Sequence, residues 1–342
     1  MLTAGEGQER RGQSNARYPA EPVSVTRRLP DTTASAQVVG VSERRERTIA
    51  TGGGAAVTEQ SRFRIASLTK AFTSAATVLA LSQRAIPLST PAIELLPSLV
   101  PDWKADRTIT VEQLLGQVAG LRESVDGTAV AALGDGPDAL LETARLVVRA
   151  GTERAPGRRW SYYNGNYFLI GATLAAITGM TFEAALAETL LHPWDLAQTG
   201  FETPDAPVTG WDGRTPLPIE AYPRGRRPSG GLWSCVGDLL TFAEHLLDHR
   251  VLLEATRRPR TPADDALNYG LGWALGRSGQ MYLNGRLSGY RAAALLLPEH
   301  GLASVALANE TGALPEIARL LSGLQEPLTG DDLTGEINAF AA

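Results

Sequence analysis

The sequence predicts a mixed α/β (α+β) fold: an antiparallel sheet built from both chain ends, flanked by helices, with a mostly helical lobe inserted between them. Three observations carry this expectation. Apolar runs of strand length occur near the start, at residues 37–42 and 47–50. Four more, at 270–276, 280–284, 292–297 and 303–308, follow near the end and are separated by Gly, Pro or Asn turns. Between the two groups the chain is rich in Ala, Leu, Pro and Gly at helical spacing. At 342 residues, with 43% apolar and 20% charged, the chain has enough core material for one large domain. The expected division is a disordered tail over 1–20 and a single domain over 21–342, its α/β body at 21–84 and 228–342 and its helical lobe at 85–227.

Taken in order, QVVGVS and RTIA read as two strands, and the polar SERRER between them suits a hairpin. Gly52-Gly53-Gly54 ends the second strand. No Gly-Lys-Ser/Thr follows, so these glycines form no phosphate loop. A short strand at 63–65 leads into a helix running to Gln83, with Ala75, Ala76, Leu79 and Ala80 on one side. In the lobe, Thr110 and Thr181 are placed to cap helices at 110–117 and 181–191, and further helices are expected at 137–150 and 166–178. The proline-rich stretch 203–227 reads as an irregular crossing back to the body. Helices over 237–249 and 313–324 complete the pattern.

Composition excludes several functions. The net charge is −5 and no basic stripe is present, so nucleic acid is not an expected partner. No apolar run reaches the length of a membrane span. The N-terminus lacks an apolar core segment, so the chain as written is expected to be cytoplasmic, with secretion following only from an upstream start codon. The single cysteine, Cys235, excludes a disulfide framework and reads as a small buried hydrophobe. His245 and His249 stand at i and i+4, but no third ligand accompanies them, so no metal site is expected.

The chemistry points elsewhere. Only two of the 32 basic residues are lysines, Lys70 and Lys104. Arginine cannot lose its proton in a protein, whereas a buried lysine can. Lys70 follows Ser67 by three residues at the start of a helix, which puts both side chains on one face. A hydroxyl nucleophile beside an amine base needs that spacing. A second constellation is WSYYNGNY at 160–167. Tyr162 could relay a proton, its phenol lowered by a nearby ammonium, and the Asn164 amide could both donate and accept. An aromatic packing loop is the competing reading. A third is Asn284-Gly285-Arg286 between two late strands. There the missing Cβ of Gly285 would let a ligand backbone approach, and a free strand N–H could serve an oxyanion. A plain hairpin is the competing reading.

Together these segments resemble the class C β-lactamase, D-Ala-D-Ala carboxypeptidase and family VIII esterase superfamily of SxxK serine hydrolases. FRIASLTKAFT resembles the nucleophile motif, and LLGQVAGL resembles its LLxHxSGL segment with Gln117 in place of His. PGRRWSYYNGNY, GGLWSCVGDLLTF and LNGRLSGYRAAALLLPEHG follow in the family's order, so the likeness covers roughly residues 36–324. The resemblance implies Ser67 as acylated nucleophile, Lys70 as base and Tyr162 as proton shuttle to the leaving group. It implies Asn164 as the group orienting Lys70 and a substrate carbonyl, and the backbone N–H groups of Ser67 and Arg286 as oxyanion hole. Leu283, Asn284, Gly285 and Arg291 would contact substrate, and neither cofactor nor metal would be required.

One departure bears on substrate. The family's third motif usually reads Lys-Thr-Gly or His-x-Gly, and here it reads Leu283-Asn284-Gly285. A leucine cannot bind the carboxylate of a β-lactam or a peptidoglycan peptide. The expected function is therefore hydrolysis of an ester or small-amide substrate through an acyl-enzyme, with a small-molecule acyl substrate as partner. The alternatives are an acyltransferase of the same fold in secondary metabolism, a β-lactamase or D,D-peptidase, and a non-catalytic binding protein.

Overall fold

The computed structural model describes residues 36–53 and 56–340. The tail expected at 1–20 lies outside them. The chain opens with the hairpin β1 (Ala36–Glu43) and β2 (Glu46–Gly53), followed by β3 (Phe63–Arg64) and a 3-10 turn, Ala66–Leu68. The helix α1 (Thr69–Gln83) leads into the lobe: α2 (Ala92–Leu95), α3 (Val111–Leu115), α4 (Gly127–Ala131), α5 (Ala139–Ala150), α6 (Asn164–Thr178) and α7 (Phe182–Leu186), the last continued by a π turn at Ala187–Leu191. The return carries a small hairpin, β4 (Trp211–Asp212) and β5 (Thr215–Pro216), then α8 (Arg227–Gly230) and β6 (Trp233–Ser234). The body resumes with α9 (Val236–Asp248), α10 (Arg250–Arg257), β7 (Asn268–Tyr269), β8 (Ala274–Leu275), β9 (Met281–Leu287), β10 (Tyr290–Leu297), β11 (Leu302–Ala308), α11 (Leu314–Thr329) and α12 (Thr334–Ala339).

Both chain ends build one seven-stranded sheet, in the order β2-β1-β11-β10-β9-β8-β7. Every pairing is antiparallel, and the first strand joins the last, with Val39 opposite Ala306. The β1–β2 turn is tight because Arg44 and Arg45 both take positive φ, 49° and 71°, which matches the twist of a two-residue hairpin. Helices cover both faces. Gly40 faces α9, where an added Cβ would meet Val236 and Leu240. Gln37, an odd number of residues away and so on the other face, hydrogen-bonds Glu316 of α11. Phe72 of α1 stacks on Phe242 of α9 at 4.1 Å, which joins the nucleophile-bearing segment to the sheet layer.

Three expectations are corrected. The helix does not begin before Ser67: residues 66–68 form a 3-10 turn and α1 starts at Thr69. Of the strand expected at 270–276 only Ala274–Leu275 forms strand, as β8; residues 270–273, with Gly272 at φ 84°, turn the chain back from β7, with which β8 pairs. Helix α10 and helix α12 were not anticipated; both are short. Cys235 is fully buried, and burial pushes its thiol up to about 12. The two histidines have separate tasks: His245 stacks against Trp194 at 5.2 Å, and His249 Nδ1 accepts the Leu252 N–H at the start of α10. Among the described residues no single helix is long and apolar enough to cross a membrane.

Candidate active site

The site is assembled at the junction of three segments. Ala66 holds φ 46°, a left-handed conformation that its Cβ disfavours, and so presents Ser67 on a sharp turn before α1. Ser67 remains partly exposed, whereas Lys70 is fully buried one turn further on. Lys70 Nζ lies 3.1 Å from Ser67 Oγ and 2.6 Å from Tyr162 Oη, and donates to the Ser229 carbonyl at 2.8 Å. Tyr162 Oη donates to Ser67 Oγ at 2.7 Å. The hydroxyl, amine and phenol thus close a triangle.

Electrostatics define what the triangle can do. Burial first, and then the nearby Arg226 guanidinium, hold the Lys70 ammonium well below the ordinary lysine range. A neutral amine has two N–H donors and one lone pair. One N–H is committed to the Ser229 carbonyl, which only accepts. The other serves Tyr162, and the lone pair is left for the Ser67 proton. Tyr162 is shifted the other way: burial raises its phenol above the usual tyrosine range, against the opposing effect of the Ser67 hydrogen bond. The expectation that an ammonium would lower this phenol is therefore corrected. Burial shifts the amine toward its uncharged form, and for the phenol desolvation is the larger effect. Tyr162 is a protonated donor rather than a phenolate.

The Tyr162 loop is held by a residue that the sequence offered only as a departure from a motif. Gln117 takes φ 60° at the end of α3. Its Oε1 accepts from the Tyr163 N–H at 3.1 Å and from Asn166 Nδ2 at 2.5 Å, and its own carbonyl accepts from the Ser161 N–H at 3.0 Å. These bonds bracket Tyr162 on both sides and fix where its phenol points. The Ser229 carbonyl was also not anticipated. It is brought in by α8, which is tied to α1 through Thr73 Oγ1 donating to the Pro228 carbonyl and the Leu232 N–H donating to Thr69 Oγ1. A backbone carbonyl has no sequence signature of its own. The small residues Ser229-Gly230-Gly231 are the trace that could have been read.

Several expected residues are placed differently. Asn164 begins α6 and lines a cavity of about 320 Å³ together with Glu123, Ser124, Tyr163 and Arg226. The hold on Lys70 expected of it comes from the Ser229 carbonyl instead. Leu283 is fully buried in the core. Asn284 is buried, and its Nδ2 donates to the carbonyls of Ile337 and Phe340. Arg291 folds back on its own hairpin, donating to the carbonyls of Leu287 and Tyr290.

Gly285 permits a close approach, but by the chain itself. A Cβ there would lie 2.2 Å from the Ile65 carbonyl oxygen and 3.2 Å from Ala66 Cβ. The missing side chain lets β9 pass directly over the turn that carries Ser67, and so brings the backbone of Arg286 alongside it. β8 pairs with β9 only at Met281 and Tyr282, so among the described residues no strand pairs with that edge from Leu283 onward. Gly285→Ala is expected to push the Ser67 turn off the strand, lowering stability by about 1–3 kcal/mol through overpacking against rigid backbone. It should also slow acylation of Ser67, read by the rate of covalent labelling.

A strained turn presenting a serine, a buried neutral lysine and a phenol between them, at the edge of an antiparallel sheet, define the site of an SxxK serine hydrolase. The sequence model of the Beta-lactamase family matches residues 26–322, and the chain belongs to that family. It is similar to penicillin-binding protein 4 of Amycolatopsis lactamdurans, 27% identical over 218 residues that make up 60% of this chain and 56% of that protein. It is also similar to protein flp of Staphylococcus aureus (strain N315), 22% identical over 73% of this chain and 53% of that one. The chain thus spans about half the length of these curated relatives. Two solved structures share the fold. A D-stereospecific amidohydrolase from Streptomyces sp. superposes with a TM-score of 0.67 at 23% identity, covering 86% of this chain and 94% of that one. A β-lactamase/D-alanine carboxypeptidase from Pseudomonas syringae gives 0.69 at 17% identity, covering 82% and 90%.

Proposed function

We propose that this protein hydrolyses an ester or small-amide substrate through a covalent acyl-enzyme on Ser67. The observation that carries the reading is the closed triangle of Ser67, Lys70 and Tyr162, with burial shifting the lysine toward its neutral form. In acylation, Ser67 Oγ attacks the substrate carbonyl carbon while its proton passes to Lys70 Nζ. The oxyanion that forms faces the backbone N–H groups of Ser67 and Arg286. Collapse of the adduct breaks the bond to the leaving group, which takes a proton from Tyr162 as Lys70 returns one to the phenolate oxygen. Deacylation runs the same relay in reverse with water as nucleophile: Lys70 and Tyr162 take the water proton, and Ser67 leaves protonated. No step calls on a metal or cofactor.

Asn164 opens on the cavity beside Tyr163 and Arg226 and is proposed to receive a polar part of the substrate there. The buried Leu283 offers no cation to a substrate carboxylate, which favours esters and simple amides over β-lactams. The two structural neighbours, an amidohydrolase and a β-lactamase/D-alanine carboxypeptidase, agree with acyl transfer from an amide. The test is mass spectrometry of the intact protein after treatment with a fluorophosphonate. A single adduct mapping to Ser67 is the expected result. An unmodified chain, or an adduct at another residue, would overturn the proposal.

A further inference from the structure

One face of β9 carries Tyr282, Asn284 and Arg286, because side chains alternate along a strand. Helix α12 lies against that face. Asn284 Nδ2 donates to the carbonyls of Ile337 and Phe340, the latter at 3.0 Å, and Arg286 Nη2 donates to the carbonyl of Asn338. Two side chains flanking Gly285 thus bind three backbone carbonyls within the four residues 337–340, as they would bind a turned peptide.

Phe340 follows the last residue of α12 and reaches past the free edge of β9. It is 4% exposed and sits in a cage of four aromatic rings. Its ring is parallel to Tyr269 at 6.0 Å, edge-on to Tyr162 at 5.6 Å and to Tyr282 at 6.2 Å, and tilted to Trp160 at 6.1 Å. Tyr162 is the phenol that contacts Ser67, so the caged ring is one side chain from the nucleophile.

The cage is imperfectly filled by a phenylalanine. Trp160 Nε1 and Arg286 Nε are buried with no hydrogen-bond partner. Orphaned buried donors are costly and rare, and a benzyl group offers them no acceptor. Trp160, a wall of the cage, and Arg286, which binds the same helix, thus each keep a donor for a carbonyl brought in by a ligand. Ile337 is fully buried and anchors α12, whereas Phe340 lies beyond the helix end. The ring can therefore leave its cage without the helix unfolding.

We propose that the cage of Trp160, Tyr162, Tyr269 and Tyr282 is a substrate subsite for an aromatic side chain next to an amide, and that Phe340 is its occupant from within the chain. This deepens the hydrolase reading and rests on it for the word substrate. The preferred substrates are then aryl-bearing amides or esters of peptide-like form, and they compete with Phe340 for entry.

Binding of N-acetylphenylalaninamide, in both enantiomers, measured by calorimetry on the full chain, tests this without any turnover. Phe340→Ala is expected to bind at least one enantiomer about tenfold tighter than the wild-type chain, while N-acetylalaninamide shows no such difference. Phe340→Leu keeps an apolar anchor and should show the same direction if Phe340→Ala folds poorly. Hydrogen exchange on the wild-type chain reads the competition with no substitution: saturating ligand should speed exchange of the amides at 338–340. Equal binding to wild type and variants, or none to any of them, together with unchanged exchange, would overturn the subsite. Because fluorophosphonate labelling of Ser67 is scored separately, loss of the subsite and loss of the hydrolase reading give different results.

Discussion

Lys70→Arg is expected to lower kcat/KM for p-nitrophenyl butyrate by about 10³-fold or more, the upper range for losing a general base. A guanidinium cannot surrender its proton, so the lone pair facing Ser67 is gone. The variant also places an obligate charge where the lysine is fully buried. Lys70→Met serves as the companion, since it keeps a neutral, flexible stem of similar length and folds without that charge. Both should fail to accumulate an acyl-enzyme. Full activity in either would remove Lys70 as the base.

The same lysine sets the pH dependence. Activity requires the neutral amine, so kcat/KM should rise with pH along an acid limb governed by Lys70 and then reach a plateau. The plateau should extend past the ordinary tyrosine range, because burial raises Tyr162 and keeps it protonated. Stability follows the same sign. The unfolded chain binds a proton at Lys70 below its ordinary value of 10.5, and the folded chain does so only at much lower pH. Across that window the unfolded state holds the extra proton, so stability rises with pH through it. Lys70→Met should lack this contribution, and chemical denaturation at several pH values checks it.

Tyr162→Phe is expected to cost about 10²–10⁴ in kcat/KM, the range for a lost proton relay. The substitution keeps the ring in place against Trp160 and removes only the oxygen that donates to Ser67 and meets Lys70. The size of the loss should depend on the leaving group. An amide nitrogen must be protonated to depart, whereas p-nitrophenolate leaves without a proton. Anilides should therefore suffer more than p-nitrophenyl esters. Equal losses for both would assign Tyr162 to positioning Ser67 rather than to proton transfer.

The pairing of Ser67 with Lys70 was legible because it is local: three residues on one turn bring the two side chains together whatever surrounds them. The sheet was legible from short apolar runs bounded by turn residues, because β1, β10 and β11 are buried along almost their whole length. Gly285 was singled out correctly as a point of close approach, but the approaching group could not be read, because Ile65 is more than two hundred residues away in the chain. Leu283 and Arg291 were assigned to substrate by motif position. Neither burial nor a side chain's turn back onto its own hairpin is encoded at such a position.

From residue order alone came the nucleophile, the one lysine suited to serve it, the phenol-bearing loop and the joining of both chain ends in one sheet. The Ser67–Lys70 pairing rests on spacing, which short-range geometry converts directly into structure; the roles of the nucleophile and the phenol came from the resemblance of five ordered segments to a known family. The protonation state of Lys70, the carbonyl of Ser229 that holds it, the Gln117 clamp and the seating of Phe340 beside the site were settled only by the tertiary fold. They depend on desolvation and on contacts between distant segments, and such quantities exist only once the chain has closed around them.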